Sequence, residues 1–228
     1  MMRRNIALIP AAGVGARFGA RKPKQYVEIN GKTVLQHTIE IFEQHPRIDL
    51  IAVILSPEDS VFQTALSEKV RVFRVGGASR AETVRNGVSV LLEQGLAEAQ
   101  DNILVHDAAR CCLPAEALTR LLDEAGENDE GGILAIPVAD TLKRADGSHH
   151  IDETVARAGL WQAQTPQLFQ TALLNRALSV DDLSEITDEA SAVEKLGIRP
   201  RLVQGDTRNL KLTLPQDEYI VRLLLKAV

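Results

Sequence analysis

Short apolar runs alternate with helically patterned segments over residues 1–138, and this alternation constrains the fold more than any other feature of the chain. The runs at 5–9, 48–55, 70–75, 102–106 and 132–138 read as buried strands. Between them, 33–44, 57–68, 80–94 and 115–125 carry helical spacing. Their boundaries have physical signals. Ser56-Pro57 offers an N-cap followed by proline at the first helical position. Ser79-Arg80-Ala81-Glu82 has the form of a capping box. Val84, Val88, Leu91 and Leu92 then fall on one helical face, and Gly95 is a stop signal. Strand–helix–strand alternation predicts an α/β fold, a Rossmann-like and mostly parallel sheet with helices on both faces. Ligands of such sheets bind beyond the carboxyl ends of the strands. That rule brings the loop after 5–9, Gly76-Gly77 and His106-Asp107 to one rim.

The first of these loops, Pro10-Ala-Ala-Gly-Val-Gly-Ala-Arg-Phe-Gly19, is built from small residues and is followed by Lys22-Pro-Lys24. Glycine and alanine let backbone N–H groups approach a ligand, and oriented N–H groups form an anion-binding concavity. Arg17 and Lys24 add two cations. The loop is not G-x-x-x-x-G-K-[ST], and Gly13, Gly15 and Gly19 give a spacing one residue too long for a dinucleotide fingerprint. A triphosphate site and a tight turn that needs glycine for backbone reasons both fit the loop alone.

The net charge of −5 gives no basic character for non-specific nucleic-acid binding, so a polyanion must meet a local basic pocket. No apolar run reaches the length of a membrane span, and Met-Met-Arg-Arg lacks the apolar core of a signal peptide. Cys111 and Cys112 are adjacent, where a mutual disulfide would be strained and close no useful loop. Both are expected to be reduced packing residues in a cytoplasmic protein.

The pattern changes near residue 140. Thr141–Arg144 and Ile151–Val155 flank a polar tip and predict a β-hairpin looping around Asp146-Gly147. The arm, 139–158, has too few apolar residues for a core of its own, so it is expected to lie on another surface, a second subunit first. Beyond it come Leu160–Ala163, helices near 170–178 and 188–196, strands at 200–204 and 209–213, and a last helix from Pro215. Thr187 is expected to cap the second of these helices.

Asp107 ends an apolar strand at the rim, where a carboxylate suits Mg²⁺ shared with phosphate oxygens. Capping of the next turn or pairing with Arg110 is the alternative. Gly76-Gly77 either approaches a base with its backbone or simply turns into a capped helix. Lys211, in Asn209-Leu-Lys-Leu-Thr213, either serves a ligand or guards a strand edge. There is no G-x-S-x-G elbow and no zinc-ligand spacing.

Taken in order, Ile9–Arg17, Lys22–Tyr26, Val105–Arg110, Asp140–Lys143, Leu160-Trp161 through Thr165-Pro166-Gln167, Thr187–Ser191 and Asn209–Thr213 resemble the 2-C-methyl-D-erythritol 4-phosphate cytidylyltransferases over almost the whole chain. The resemblance implies one nucleotidyltransferase domain, 1–228, that uses Mg²⁺ and transfers CMP from CTP to the phosphate of methylerythritol phosphate. Under it, Arg17 and Lys24 stabilise charge on the CTP α-phosphate, and Asp107 binds the metal. Ala11, Ala12, Gly13, Gly15, Gly77, Thr83 and Ala108 hold cytosine and ribose. Arg110, Thr165, Thr187 and Lys211 hold the acceptor, with Arg157 and Thr141 coming from the arm of the neighbouring subunit of a homodimer. Cys111 stands where the family usually has proline, and Thr83 where it more often has serine. Two other readings remain: a nucleotidyltransferase for another polyol phosphate or a sugar acid, and a non-catalytic nucleotide-binding module.

Overall fold

The structure is a computed structural model, and it describes residues 3–13, 23–64 and 67–226. In chain order the elements are β1 (Asn5–Pro10), a 3-10 turn (Lys24–Tyr26), β2 (Glu28–Ile29), β3 (Lys32–Thr33), α1 (Val34–Gln44), β4 (Leu50–Ile54), β5 (Val70–Phe73), α2 (Arg80–Glu93), β6 (Asn102–Val105) and α3 (Ala115–Ala125). They continue with β7 (Gly132–Pro137), β8 (Leu142–Ala145), β9 (Ile151–Val155), β10 (Trp161–Gln170), α4 (Thr171–Leu178), α5 (Glu189–Glu194), β11 (Arg201–Gln204) and α6 (Asp217–Leu224). Among the described residues a seven-stranded sheet runs in the order β11-β7-β10-β6-β1-β4-β5. Its pairings are parallel except those of β10, which is antiparallel to both β6 and β7.

β1 shows how the sequence builds this frame. Successive side chains of a strand point to opposite faces. Ala7 and Ile9 join the apolar cluster that includes Leu35 and Phe42 of α1 and Leu118 and Leu121 of α3. Ile6 and Leu8 join Val84, Val88 and Leu91 of α2 and Leu174 of α4. All four β1 residues are fully buried, and burying an isoleucine or leucine side chain contributes about 1.5–3 kcal/mol. The loop that leaves β1 therefore starts from one of the best-anchored points in the molecule.

Several expected boundaries shift, each for a local reason. The helix expected over 57–68 does not form: Pro57-Glu58 is a turn and 59–64 are irregular. The Asp59 carboxylate accepts the N–H groups of Val61 and Phe62 and the Tyr26 hydroxyl, a local arrangement that competes with a helix. The strand expected at 209–213 is irregular too, with Leu212 N donating to Ala109 O at 2.8 Å. The short run at 160–163 leads into the ten-residue β10, which begins at Trp161 and whose register shifts between Ala163 and Gln167 around the cis Thr165-Pro166 bond. The cap of α5 is Asp188, not Thr187, in a capping box with Ser191. In α2 the Ser79 hydroxyl accepts Glu82 N–H as expected, but the Glu82 carboxylate reaches Ala78 N–H instead of Ser79. The last helix begins at Asp217, two residues after Pro215.

β8 and β9 form the expected hairpin and, among the described residues, pair only with each other. They are exposed along nearly all their length. The Asp146 carboxylate organises the tip by accepting N–H groups from Ser148 and His150. None of the described helices is long and apolar enough to cross a membrane.

Candidate active site

The strand ends on one rim surround a cavity of about 610 Å³. Ala11, Ala12 and Gly13 line it after β1, Gly77, Arg80 and Thr83 around the start of α2, and Asp107 and Ala108 after β6. Lys24 and Lys211 reach the same cavity from segments far apart in sequence. Gly76 packs where no side chain fits: an added Cβ would lie 2.3 Å from Ala12 Cβ and 2.7 Å from Leu55 O. Gly76 is thus needed to bring the α2 loop against the β1 loop. Thr83 Oγ1 accepts from Gly77 N at 3.1 Å and donates to Ser79 O at 2.9 Å, holding that approach.

Gln25, which the sequence reading passed over, clamps the first loop from behind. Its amide nitrogen donates to Ala11 O at 2.9 Å and to Gly13 O at 3.0 Å. In a planar trans peptide the C=O and N–H point in opposite directions. Tying Ala11 O to Gln25 therefore turns the N–H of Ala12 the other way. The neighbouring Lys24 donates its Nζ to Leu212 O at 3.3 Å, so the 3-10 turn and the 209–213 segment meet at the cavity.

Asp107 is the hub of the charge arrangement. Arg80 Nε donates to its Oδ1 at 2.9 Å, Lys211 Nζ lies 2.7 Å from Oδ2, and Arg110 Nε lies 3.6 Å from Oδ2. Burial by itself would raise the Asp107 carboxyl, but Arg80, then Lys211 and Arg110, outweigh it and hold it well below the usual carboxylate range. Behind Arg80 stands Glu189, 1% exposed, which accepts from Nη1 at 2.7 Å and Nη2 at 3.0 Å. Burial works against the Arg80 charge, yet Glu189 and Asp107 overcome it and keep the guanidinium protonated.

A neutral histidine buttresses the hub. His106 is fully buried, with Nε2 2.9 Å from Arg110 O and Nδ1 3.1 Å from Thr165 Oγ1. Thr165 Oγ1 also accepts the Asp107 N–H at 3.0 Å, so its own proton goes to His106 Nδ1 and the imidazole donates through Nε2. Burial pushes His106 down to about 4, from an ordinary value of 6.5. The unfolded chain therefore binds the proton more readily between these values, and stability rises with pH across that window and levels off above it. The expected loss on going from pH 7.5 to pH 5 is roughly 2 kcal/mol from this residue. Urea unfolding at the two pH values measures it. The His106→Gln protein should lose visibly less, and equal pH dependence in both proteins would refute the assignment.

The sequence-predicted residues divide into groups. Ala11, Ala12, Gly13, Lys24, Gly77, Thr83, Asp107, Ala108 and Lys211 share one cavity. Thr165 and Arg110 stand behind it: the Thr165 hydroxyl serves His106 and Asp107, and Arg110 Nη1 donates to Asn209 O at 2.6 Å. Thr187 is exposed, just before the α5 cap. Thr141 and Arg157 are exposed at the base of the hairpin. Arg17 and Gly15 lie outside the described residues. No group of three or more His, Cys, Asp or Glu that could hold a metal occurs among the described residues. Asp107, the one acid among the described residues of the cavity wall, offers a single hard oxygen donor, which fits a cation whose remaining ligands come from phosphates and water. Sequence reasoning missed Arg80 and Glu189. Arg80 did carry a signal, because a cation in the first turn of α2 opposes the helix dipole and calls for a nearby carboxylate. Glu189 carried none, since an acid in a first turn is ordinary.

Comparison with known proteins gives the family. The profile of the family described as 2-C-methyl-D-erythritol 4-phosphate cytidylyltransferase matches residues 5–227. The chain belongs to that family. A relative of that name from Neisseria meningitidis serogroup C is 70% identical, with the whole of both chains covered. One from Chromobacterium violaceum is 50% identical over 97% of this chain and 98% of its own. Among solved structures, a 4-diphosphocytidyl-2C-methyl-D-erythritol synthase superposes with a TM-score of 0.89 at 64% identity, covering 99% of this chain and all of that one. The Francisella tularensis cytidylyltransferase gives 0.82 at 32% identity, covering 97% and 99%. As a cytidylyltransferase of this family, the protein converts CTP and 2-C-methyl-D-erythritol 4-phosphate to 4-diphosphocytidyl-2-C-methyl-D-erythritol and pyrophosphate.

Proposed function

We propose that CMP transfer proceeds by in-line attack of the methylerythritol phosphate oxygen on the CTP α-phosphorus, within the cavity at the β1, α2 and β6 ends. The observation that carries this reading is the convergence of Lys24, Lys211 and the carboxylate of Asp107 on one cavity wall with Ala11–Gly13 and Gly77. The nucleophile is a phosphate oxygen already ionised at neutral pH, so no general base is required. Catalysis then rests on positioning and on neutralising charge at the attacked phosphorus. Lys24 and Arg17 take the second task. Backbone groups of residues 11–13, Gly15, Gly77 and Ala108, with Thr83, hold cytosine and ribose. Lys211 receives the acceptor phosphate, together with Thr187. Arg110 and Thr165 support that side from behind Asp107.

Asp107 would hold Mg²⁺, with the nucleotide phosphates as its other ligands. When bound, that ion neutralises triphosphate charge and favours departure of pyrophosphate.

The arm completes the acceptor side in a homodimer, with Arg157 and Thr141 supplied by the partner's hairpin. The physical support is its lack of a core: Ile151 is 67% exposed, and a lone two-stranded hairpin is marginal in water. Cytoplasmic residence is the compartment that suits the unpaired thiols of Cys111 and Cys112.

The test is pyrophosphate release from CTP, ATP, UTP and GTP, each against methylerythritol phosphate, another polyol phosphate and a sugar acid, with and without Mg²⁺. Turnover confined to CTP plus methylerythritol phosphate plus metal is expected. Equal turnover of a second nucleotide or acceptor would overturn the substrate assignment.

A further inference from the structure

Glu189 takes no part in the chemistry proposed above, yet it is the most deeply buried charge beside the cavity. It lies on the first turn of α5, and that turn is fixed from the sheet. Gln167 of β10 donates its amide nitrogen to Asp188 Oδ2 at 2.8 Å and accepts Ala190 N–H at 2.8 Å. Glu189 in turn holds both terminal nitrogens of Arg80, and Arg80 Nε holds Asp107 Oδ1. A planar guanidinium gripped as a fork through both terminal nitrogens has its Nε–H fixed in direction. The two oxygens of Asp107 are therefore unlike. Oδ1 is tied through Arg80 to a carboxylate whose side chain is 1% exposed. Oδ2 is paired with Lys211, whose side chain is 36% exposed and sits on the cavity wall.

We infer that Glu189 is a positioning residue for the transfer reaction: through the Arg80 fork it fixes Asp107 Oδ1 and leaves Oδ2 as the oxygen that exchanges Lys211 for a divalent cation. The inference rests on the reading of Asp107 as the metal-holding residue. A second argument comes from charge. Asp107 and Glu189 face Arg80, Lys211 and Arg110. Neutralising Glu189 leaves one carboxylate among three cations. That repels a divalent cation and attracts a triphosphate. A residue that only stabilised the fold would weaken both ligands together, whereas this arrangement moves them apart.

Glu189→Gln, with Glu189→Asp and Asp107→Asn beside it, tests the inference without reference to turnover. Mn²⁺ binding to the protein with CTP present is followed by electron paramagnetic resonance, and metal-free CTP binding by calorimetry. Glu189→Gln should weaken Mn²⁺ about 10-fold or more, as loss of a partner behind a metal ligand does, while binding metal-free CTP at least as tightly as the unaltered protein. Glu189→Asp keeps the charge and should restore most of the Mn²⁺ affinity. If Glu189→Gln does not fold, the Asp variant carries the test: its shorter side chain loosens the Arg80 fork, so Mn²⁺ affinity falls measurably below that of the unaltered protein while metal-free CTP binding holds, and equal Mn²⁺ affinity overturns the positioning role. Unchanged Mn²⁺ affinity in Glu189→Gln beside a loss in Asp107→Asn overturns the positioning role alone. Parallel loss of Mn²⁺ and metal-free CTP also overturns it. Unchanged Mn²⁺ affinity in Asp107→Asn overturns the reading of Asp107 and the inference with it.

Discussion

Lys24→Ala lowers kcat for CMP transfer roughly 10²-fold or more, the expected cost of removing a principal donor to the charge that develops at the α-phosphorus. The turn that carries Lys24 is anchored by its neighbours. Gln25 and Tyr26 are buried, Gln25 is bonded to Ala11 O and Gly13 O, and the Tyr26 hydroxyl donates to Asp59. These anchors do not pass through the Lys24 side chain, whose Nζ donates to Leu212 O at 3.3 Å. The substitution therefore leaves the turn standing, and thermal melting should show it. Arg17→Ala is expected to act in the same direction. Steady-state kinetics at varied CTP separate the possibilities: a fall in kcat assigns Lys24 to the transition state, and a rise in KM alone assigns it to ground-state binding.

The second large effect concerns the arm. Arg157→Ala should raise KM for the acceptor by at least 30-fold, because truncating a charged partner of a phosphate typically costs about 2–5 kcal/mol. The more telling measurement mixes it with Lys24→Ala. If each site combines Lys24 of one subunit with Arg157 of the other, random exchange makes half of the dimers mixed. Each mixed dimer has one intact site and one doubly altered site. Equal mixtures of the two nearly inactive proteins should thus recover roughly a quarter of the normal site concentration. No recovery, once mass spectrometry shows that the subunits have exchanged, would mean that Arg157 serves its own chain or none.

Both predictions start from residues that were readable in the sequence, and the reason is local. Strand 5–9, the small-residue loop after it and the capped helix at 80–94 are set by side-chain periodicity and cap chemistry, which act over a few residues. The structure reproduces the strand and the helix, with Ser79 capping α2 and Gly95 at a positive φ of 65° just past its end. The missed helix over 57–68 is the opposite case. Its Ser56-Pro57 signal opens a turn and no helix, and Tyr26, more than 30 residues away in sequence, engages Asp59 and helps commit that carboxylate to a non-helical loop.

Composition, periodicity and motif order by themselves determined the α/β class, the rim on which the cavity opens and most of the residues that line it, because strand ends of such a sheet converge whatever the details. Tertiary structure alone decided what those residues do to one another. It set Arg80 between Asp107 and Glu189, gave the Thr165 hydroxyl to His106, and brought Gln25 under the first loop. Such pairings depend on distances between segments up to about a hundred residues apart, and no local pattern records them. The same holds for the opening loop: its small residues raised an anion-binding reading, but the carboxylate on the same cavity wall follows β6, and the glutamate that grips its Arg80 partner comes from α5.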